Sequence, residues 1–247
     1  MTNIDFAALN PAAFPAALVA LARDVWRDRV RTEYQSIQVS TRLLGEALAA
    51  GETYDVHRML IDTVSDELRH AEICAAMCRA LGAEPPSPID VAAPIAPLDV
   101  VPVGERLIAS VISMCLVSET FSVGYLRDLE ARCRHPVTRA VLESILGDES
   151  NHETFALDLV RRRLATESRE RLSEWRSFTQ RLVDAHLSRA ELALAEIESE
   201  RRCLDAWPEQ ELAELALMSP QRGALVCERT WLEVLAPRLR DLGLLEQ

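Results

Sequence analysis

Apolar residues recur at three- and four-residue intervals through four stretches of the chain, the spacing that gathers them on one face of an α-helix. The first stretch aligns Trp26, Val30, Ile37, Ser40 and Leu44; the second aligns Leu60, Thr63, Cys74, Met77 and Leu81. The third aligns Ile108, Ile112, Cys115, Val123 and Leu126; the fourth aligns Leu142, Ile145, Ala156 and Leu159. Each stripe is interrupted near its middle by ionisable residues: Glu33, then Glu67 with His70, then Glu119, then Glu149 with His152. Strand-like alternation is missing and aromatic residues and glycines are few, so the pattern predicts an all-α protein.

Helix breakers set the expected topology. Two antiparallel helices that bring Glu33 and Glu67 to one height must turn midway, at residue 50, and the chain there reads Ala49-Ala50-Gly51-Glu52. The midpoint of Glu119 and Glu149 falls at residue 134, in Arg134-His135-Pro136, with proline suited to the first position of a new helix. Between these hairpins, Gly82-Ala83-Glu84-Pro85-Pro86-Ser87-Pro88 opens a Pro- and Ala-rich linker that runs to Gly104. It is long enough to join helices 2 and 3 running parallel, a span of roughly 40 Å. Beyond residue 165, Thr166 and Ser168 are placed to cap a helix from Glu170 to Arg202. Pro208 opens a short helix, and Pro220 opens another reaching Ala236. The expected organisation is therefore a helical domain over 1–165 and a helical extension over 166–247 packed on it. The extension carries no ligand-like motif and is expected to be structural, with covering a substrate pocket or forming a homodimer interface as the alternatives.

Glu and His at i, i+3 share one side of a helix, so Glu67/His70 and Glu149/His152 can each grip a metal ion. Both pairs belong to Asp-Glu-x-x-His segments, Asp66–His70 and Asp148–His152, lying 82 residues apart. Four carboxylates inside apolar stripes cost too much unless protonated, paired or bound to cations, and two divalent metals neutralise them directly. Ordinary surface charge with coincidental spacing is the competing reading, since 27% of the chain is charged. The duplicated motif, matched each time to an inward glutamate, argues against it.

The order Glu … Glu-x-x-His … Glu … Glu-x-x-His, over residues from about 15 to 165, resembles the ferritin-like, carboxylate-bridged di-iron superfamily. That resemblance implies a ferritin-like four-helix bundle of two antiparallel hairpins joined by a long crossover, with additional C-terminal helices. It makes Glu33 and His70 terminal ligands of one metal, Glu119 and His152 those of the other, and Glu67 and Glu149 the bridges at the reacting centre. The implied cofactor is two Fe ions, with Mn/Fe as the variant, and O2 as co-substrate; hard carboxylate oxygens with one imidazole per metal suit these ions. Asp66 and Asp148 resemble the aspartates that receive the outer N–H of ligand histidines in di-iron oxygenases. The first motif carries Arg69 before its histidine, and the second has Asn151 there. Thr63 is expected either near an O2 pocket or bonded back to its own helix, and Glu153 is a lesser alternative ligand. Tyr34, His57, His135 and His186 are assigned no chemistry, and Cys74 and Cys115 are read as buried filler in preference to redox groups.

The function expected on this resemblance is an O2-dependent di-iron oxidase or oxygenase acting on a small organic molecule. The alternatives are a ferroxidase or iron-handling protein, a tRNA-hydroxylase-like di-iron enzyme, and a non-enzymatic bundle that keeps metal for folding or binds a partner through its extra helices. A net charge of −12 argues against a nucleic-acid surface, and Arg161-Arg162-Arg163 is read as a cationic helix end. All 27 basic residues are arginine, which excludes a lysine Schiff base and a Walker A lysine. Six cysteines without Cys-x-x-Cys spacing are read as reduced thiols. With no signal-peptide pattern and no run of 18 uninterrupted apolar residues, no membrane span is expected and a cytoplasmic location is.

Overall fold

The computed structural model describes residues 4–87, 101–197, 204 and 206–246. Most of the predicted linker, the end of the helix predicted to reach Arg202, and Cys203 lie outside the described residues. Within them the chain is helical, with no strand.

Helix α1 (Ala16–Ala49) and helix α2 (Tyr54–Ala80) pack along most of their lengths, joined by a short turn. Gly51 takes φ +67 in that turn, a left-handed conformation that a Cβ would strain. Helix α3 (Arg106–Arg132) and helix α4 (Pro136–Leu164) are joined in the same way. Pro136 sits in the first turn of α4, where its missing N–H leaves nothing unpaired. Helix α2 also packs on α4, and α1 on the start of α3. Both predicted turns thus fall where the midpoints put them.

Two apolar clusters form the core. One gathers Val39, Leu43, Leu60, Ile112, Leu116 and Leu159; the other gathers Trp26, Val30, Met77, Leu129, Leu142 and Ile145. Along α1, α2 and α4 the ionisable residues of the stripes fall between these clusters. On α3, Glu119 lies near the end of the first cluster, between Val117 and Phe121. The predicted stripes of α2 and α4 are buried throughout, whereas α1 departs from expectation: Ile37 and Leu44 are half-buried and Leu43 takes the core position.

Helix α3 contains a feature that simple periodicity does not anticipate. Val111–Ser118 is π-helical, so the Glu119 N–H donates to Met114 O, five residues back, and the Ser118 hydroxyl donates to Ser113 O at 2.9 Å. Helix α3 is long and apolar enough to cross a membrane, with mean hydropathy 1.7 over its most apolar window, of which 67% is buried inside this fold.

The C-terminal segment is helical as expected. Helix α5 (Arg169–Ile197) is capped by Ser168, whose hydroxyl accepts from the Arg171 N–H at 3.2 Å, whereas Thr166 bonds back to Arg163 O. Pro208 precedes helix α6 (Glu209–Glu214). Helix α7 starts at Pro220 and, contrary to the expected stop at Ala236, continues to Asp241. A π turn over Trp231–Leu235 precedes Pro237, which then lies in the first turn of the final segment, where a proline is tolerated. Helix α5 packs on α7 and on the π-helical part of α3, and α7 packs on the second half of α3. At that last contact the helices touch through Gly124, where an added Cβ would stand 2.2 Å from Thr230 Oγ1. Buried Asp128 accepts from Arg132, Arg222 and Arg229, tying the same two helices together.

Alanine is the better helix former, yet Gly124→Ala is expected to destabilise the fold by about 1–3 kcal/mol through overpacking. Adding Thr230→Ala should recover most of the loss. Urea unfolding of the three variants checks this, and a neutral Gly124→Ala would refute the close α3–α7 contact.

Candidate metal centre

Glu33 from α1, Glu67 and His70 from α2, Glu119 from α3, and Glu149 and His152 from α4 converge in the layer between the two apolar clusters. Ligand-type atoms of Glu33, Glu67 and His70 all lie within 4.8 Å of one another, and so do those of Glu67, Glu119 and His152. Glu67 belongs to both groups. Glu149 reaches both histidines: its Oε1 is 3.4 Å from His70 Nδ1, and its Oε2 is 3.0 Å from His152 Nδ1. All six residues predicted as ligands are therefore together, with Glu67 and Glu149 central.

His70 is fully buried, and its Nδ1 has no hydrogen-bond partner. Around that nitrogen stand carboxylate oxygens of Glu149, Glu67 and Glu33 at 3.4, 3.7 and 3.9 Å. These separations are too long for hydrogen bonds. They are close to the roughly 3–3.5 Å between neighbouring donors that each sit about 2.1 Å from a common ion. An orphaned imidazole nitrogen facing three carboxylates in a dry interior fits a divalent metal.

The two aspartates cross between motifs. Asp148, which precedes Glu149, has its Oδ2 3.1 Å from His70 Nε2, and Asp66, which precedes Glu67, has its Oδ2 3.1 Å from His152 Nε2. Each histidine thus donates its outer N–H to the aspartate of the other helix and presents Nδ1 inward. Arg69 lies between the two, donating to Asp66 Oδ1 at 2.7 Å and to Asp148 Oδ2. One arginine serves both aspartates, which explains why the second motif needs none.

Burial, then repulsion from Glu67, raises the Glu33 carboxyl to about 8; burial and Glu149 push Glu119 well above its usual range. Burial opposes ionisation of Glu149, but hydrogen bonds from Glu119 and His152 outweigh it and hold this carboxyl low. Burial likewise disfavours the imidazolium of His70, yet Glu67, Glu149 and Glu33 raise it to about 9. Against the same burial, Glu119 and Glu149 raise His152 to about 11. Without metal the centre holds itself together with protons.

The Thr63 hydroxyl donates to Met59 O at 3.0 Å, back along its own helix. Its side chain also lines a cavity of about 30 Å3 beside Glu67, Glu119 and His152, walled by Val39, Leu43 and Cys115 among others. Thr63, His152 and Phe155 also line an outer groove of about 400 Å3 between α2 and α4. Glu153 is buried but paired with Arg238 of α7, outside both ligand groups. Burial, then the neighbouring carboxylates, holds the Cys74 and Cys115 thiols well above their usual range, which keeps them protonated and inert. All five described cysteines are free.

Sequence reasoning missed two neighbours of the site. His186 on α5 stacks on Phe121 and lies 3.0 Å from the Ser118 hydroxyl, next to Glu119. Arg29, one turn before Glu33, lies over Trp26 and donates to Ala216 O at 2.7 Å. Its i, i+4 spacing from Glu33 was a usable signal; for His186 the sequence carried none. Comparison with protein-family models and with curated proteins returned no match for this chain.

The raised histidines give the metal-free fold stability that is complete below their unfolded value of 6.5 and lost as pH rises through about 9 for His70. In chelator, the thermal midpoint should therefore fall between pH 6.5 and 9. The added stabilisation by Mn(II) should grow over the same range, because the ligands must shed protons to bind it. A metal-free midpoint that does not vary with pH in this window would refute the coupled protonation.

Proposed function

We propose that this protein is a ferritin-like di-iron oxidoreductase, an O2-dependent oxidase or oxygenase that acts on a small organic molecule. The observation that carries the reading is the shared centre: two Glu-x-x-His pairs and two further glutamates meet in one buried layer, with His70 Nδ1 unpaired toward three carboxylates. Glu33 and His70 would hold one ion and Glu119 and His152 the other, with Glu67 and Glu149 spanning both. When bound and reduced, such an ion pair supplies the electrons for reducing O2.

The residues around the ions do the rest. Asp66 and Asp148 fix the tautomers of His152 and His70 by accepting their outer N–H groups, and Arg69 holds both aspartates in place. Val39, Leu43, Leu60 and Phe155 line the inner cavity beside Glu67 and Glu119 and would limit the access of water there. That cavity exceeds the 10–15 Å3 or so that one water needs, so it suits a molecule as small as O2. The outer groove falls within the usual range of small-ligand sites, about 300–1,000 Å3, and shares Thr63, His152 and Phe155 with the lining of the inner cavity. This adjoining volume favours an organic substrate over iron as the species turned over.

Anaerobic loading with Fe(II), followed by metal counting, tests the centre. Two irons per chain are expected, and Glu67→Ala or Glu149→Ala should lose both and lower the thermal midpoint. Retention of two irons by either variant would refute the ligand assignment. Exposure to O2 should then oxidise only the bound pair; continued conversion of excess Fe(II) into mineral would identify a ferroxidase instead. Asp148→Asn should keep most of the iron but weaken its affinity about 10–100-fold, the usual cost of losing a partner behind a ligand. A loss as complete as that of Glu67→Ala would place Asp148 on the metal itself.

A further inference from the structure

Helix α2 buries one side in the core and leaves a second apolar row on its outer pole. Tyr54, Ile61 and Leu68 are 90%, 54% and 48% exposed, and they follow one another at seven-residue intervals. That interval keeps them on one face of the helix, one residue in every two turns, as one of the two seam positions of paired helices does. Arg58, Ser65 and Glu72 complete the row on the same face, all three exposed. Scattered exposed apolar residues are ordinary on a protein surface, but an aligned row along one helix marks a contact surface.

The row is complementary to its own reverse. Arg58 and Glu72 are equidistant from Ser65, and Ile61 and Leu68 are nearly so. The large Tyr54 at one end answers the small Ala76 at the other. Ala76 lines an open pocket of about 630 Å3 with Ile4, Phe6, Arg69, Glu72 and Ile73. A helix from another protein has no reason to match this face about its midpoint, whereas a second copy related by a two-fold axis requires that match.

We propose that this protein forms a homodimer in which α2 packs antiparallel against α2 of a second copy, about a two-fold axis at Ser65. Arg58 then meets the partner's Glu72, and Ile61 meets the partner's Leu68. The partner's Tyr54 enters the pocket at Ala76, close to Arg69. Serine at the axis lets the two backbones approach closely, and the two Arg–Glu pairs balance the face locally although each chain carries a net charge of −12. The arrangement does not depend on metal or on the reaction.

Sedimentation of the full chain over a wide concentration range tests the proposal, with circular dichroism confirming that each variant is folded. The wild type should dimerise, and Arg58→Glu or Glu72→Arg alone should weaken the dimer at least about tenfold, because each places two like-charge pairs across the axis. The double swap should restore it. Ser65→Cys should give a disulfide-linked dimer on mild oxidation, whereas the wild type should not. A wild type that stays monomeric, a dimer indifferent to both single swaps, or a double swap that fails to recover would each overturn the proposal.

Discussion

The burial of charge is the constraint on which the rest of this fold depends. Four carboxylates and two imidazoles meet in one layer of an otherwise apolar interior, with Glu67, Glu149 and both histidines buried and Glu33 and Glu119 half-buried. Charge placed there needs compensation. Compensation works only if four helices deliver these groups to the same height. The turn positions, the helix lengths and the π-helical stretch of α3 all serve that alignment. Outside the layer, two aspartates and one arginine close the network by crossing from motif to motif. The helices α2 and α4 are consequently tied to each other at both histidines and need little direct apolar contact at that level.

The apolar clusters on either side of the layer act as its frame. Packing fixes the spacing of the helices, and hence the separation of the carboxylates and imidazoles they carry. The C-terminal helices reinforce this frame from outside. The Trp26 indole donates to Leu215 O at 3.1 Å and Arg29 donates to Ala216 O, so the segment after α6 grips α1 close to Glu33. Arg238 pairs with the buried Glu153 one turn beyond Glu149, compensating a further carboxylate next to the layer. The extension thus contributes to the chemistry of the layer without supplying a ligand.

What could be read from the amino-acid sequence was local. Helix periodicity, Gly51, Pro136 and the i, i+3 spacing of Glu and His depend on neighbours along the chain, and they located the helices and the six convergent residues. What depends on neighbours in space was hidden. The exchange of Asp66 and Asp148 between motifs follows from α2 lying beside α4, and the double duty of Arg69 follows from that exchange. The partner of Glu153 lies 85 positions away, and His186 reaches Ser118 only through the packing of α5 on α3. The continuation of α7 past Pro237 was missed because proline stops a regular α-helix, and the turn before it is not regular.

The π-helical stretch bears on how relatives of this protein are to be recognised. A π turn accommodates an additional residue without adding a turn, so the chain advances less per residue between Val111 and Ser118 than an α-helix would. A related chain with an uninterrupted α-helix would reach the same height one residue sooner. Its glutamate would then fall one position out of register with Glu119 in any ungapped alignment. Superposition by the carboxylate layer, with α3 allowed a single-residue gap, is the comparison that would find such a chain.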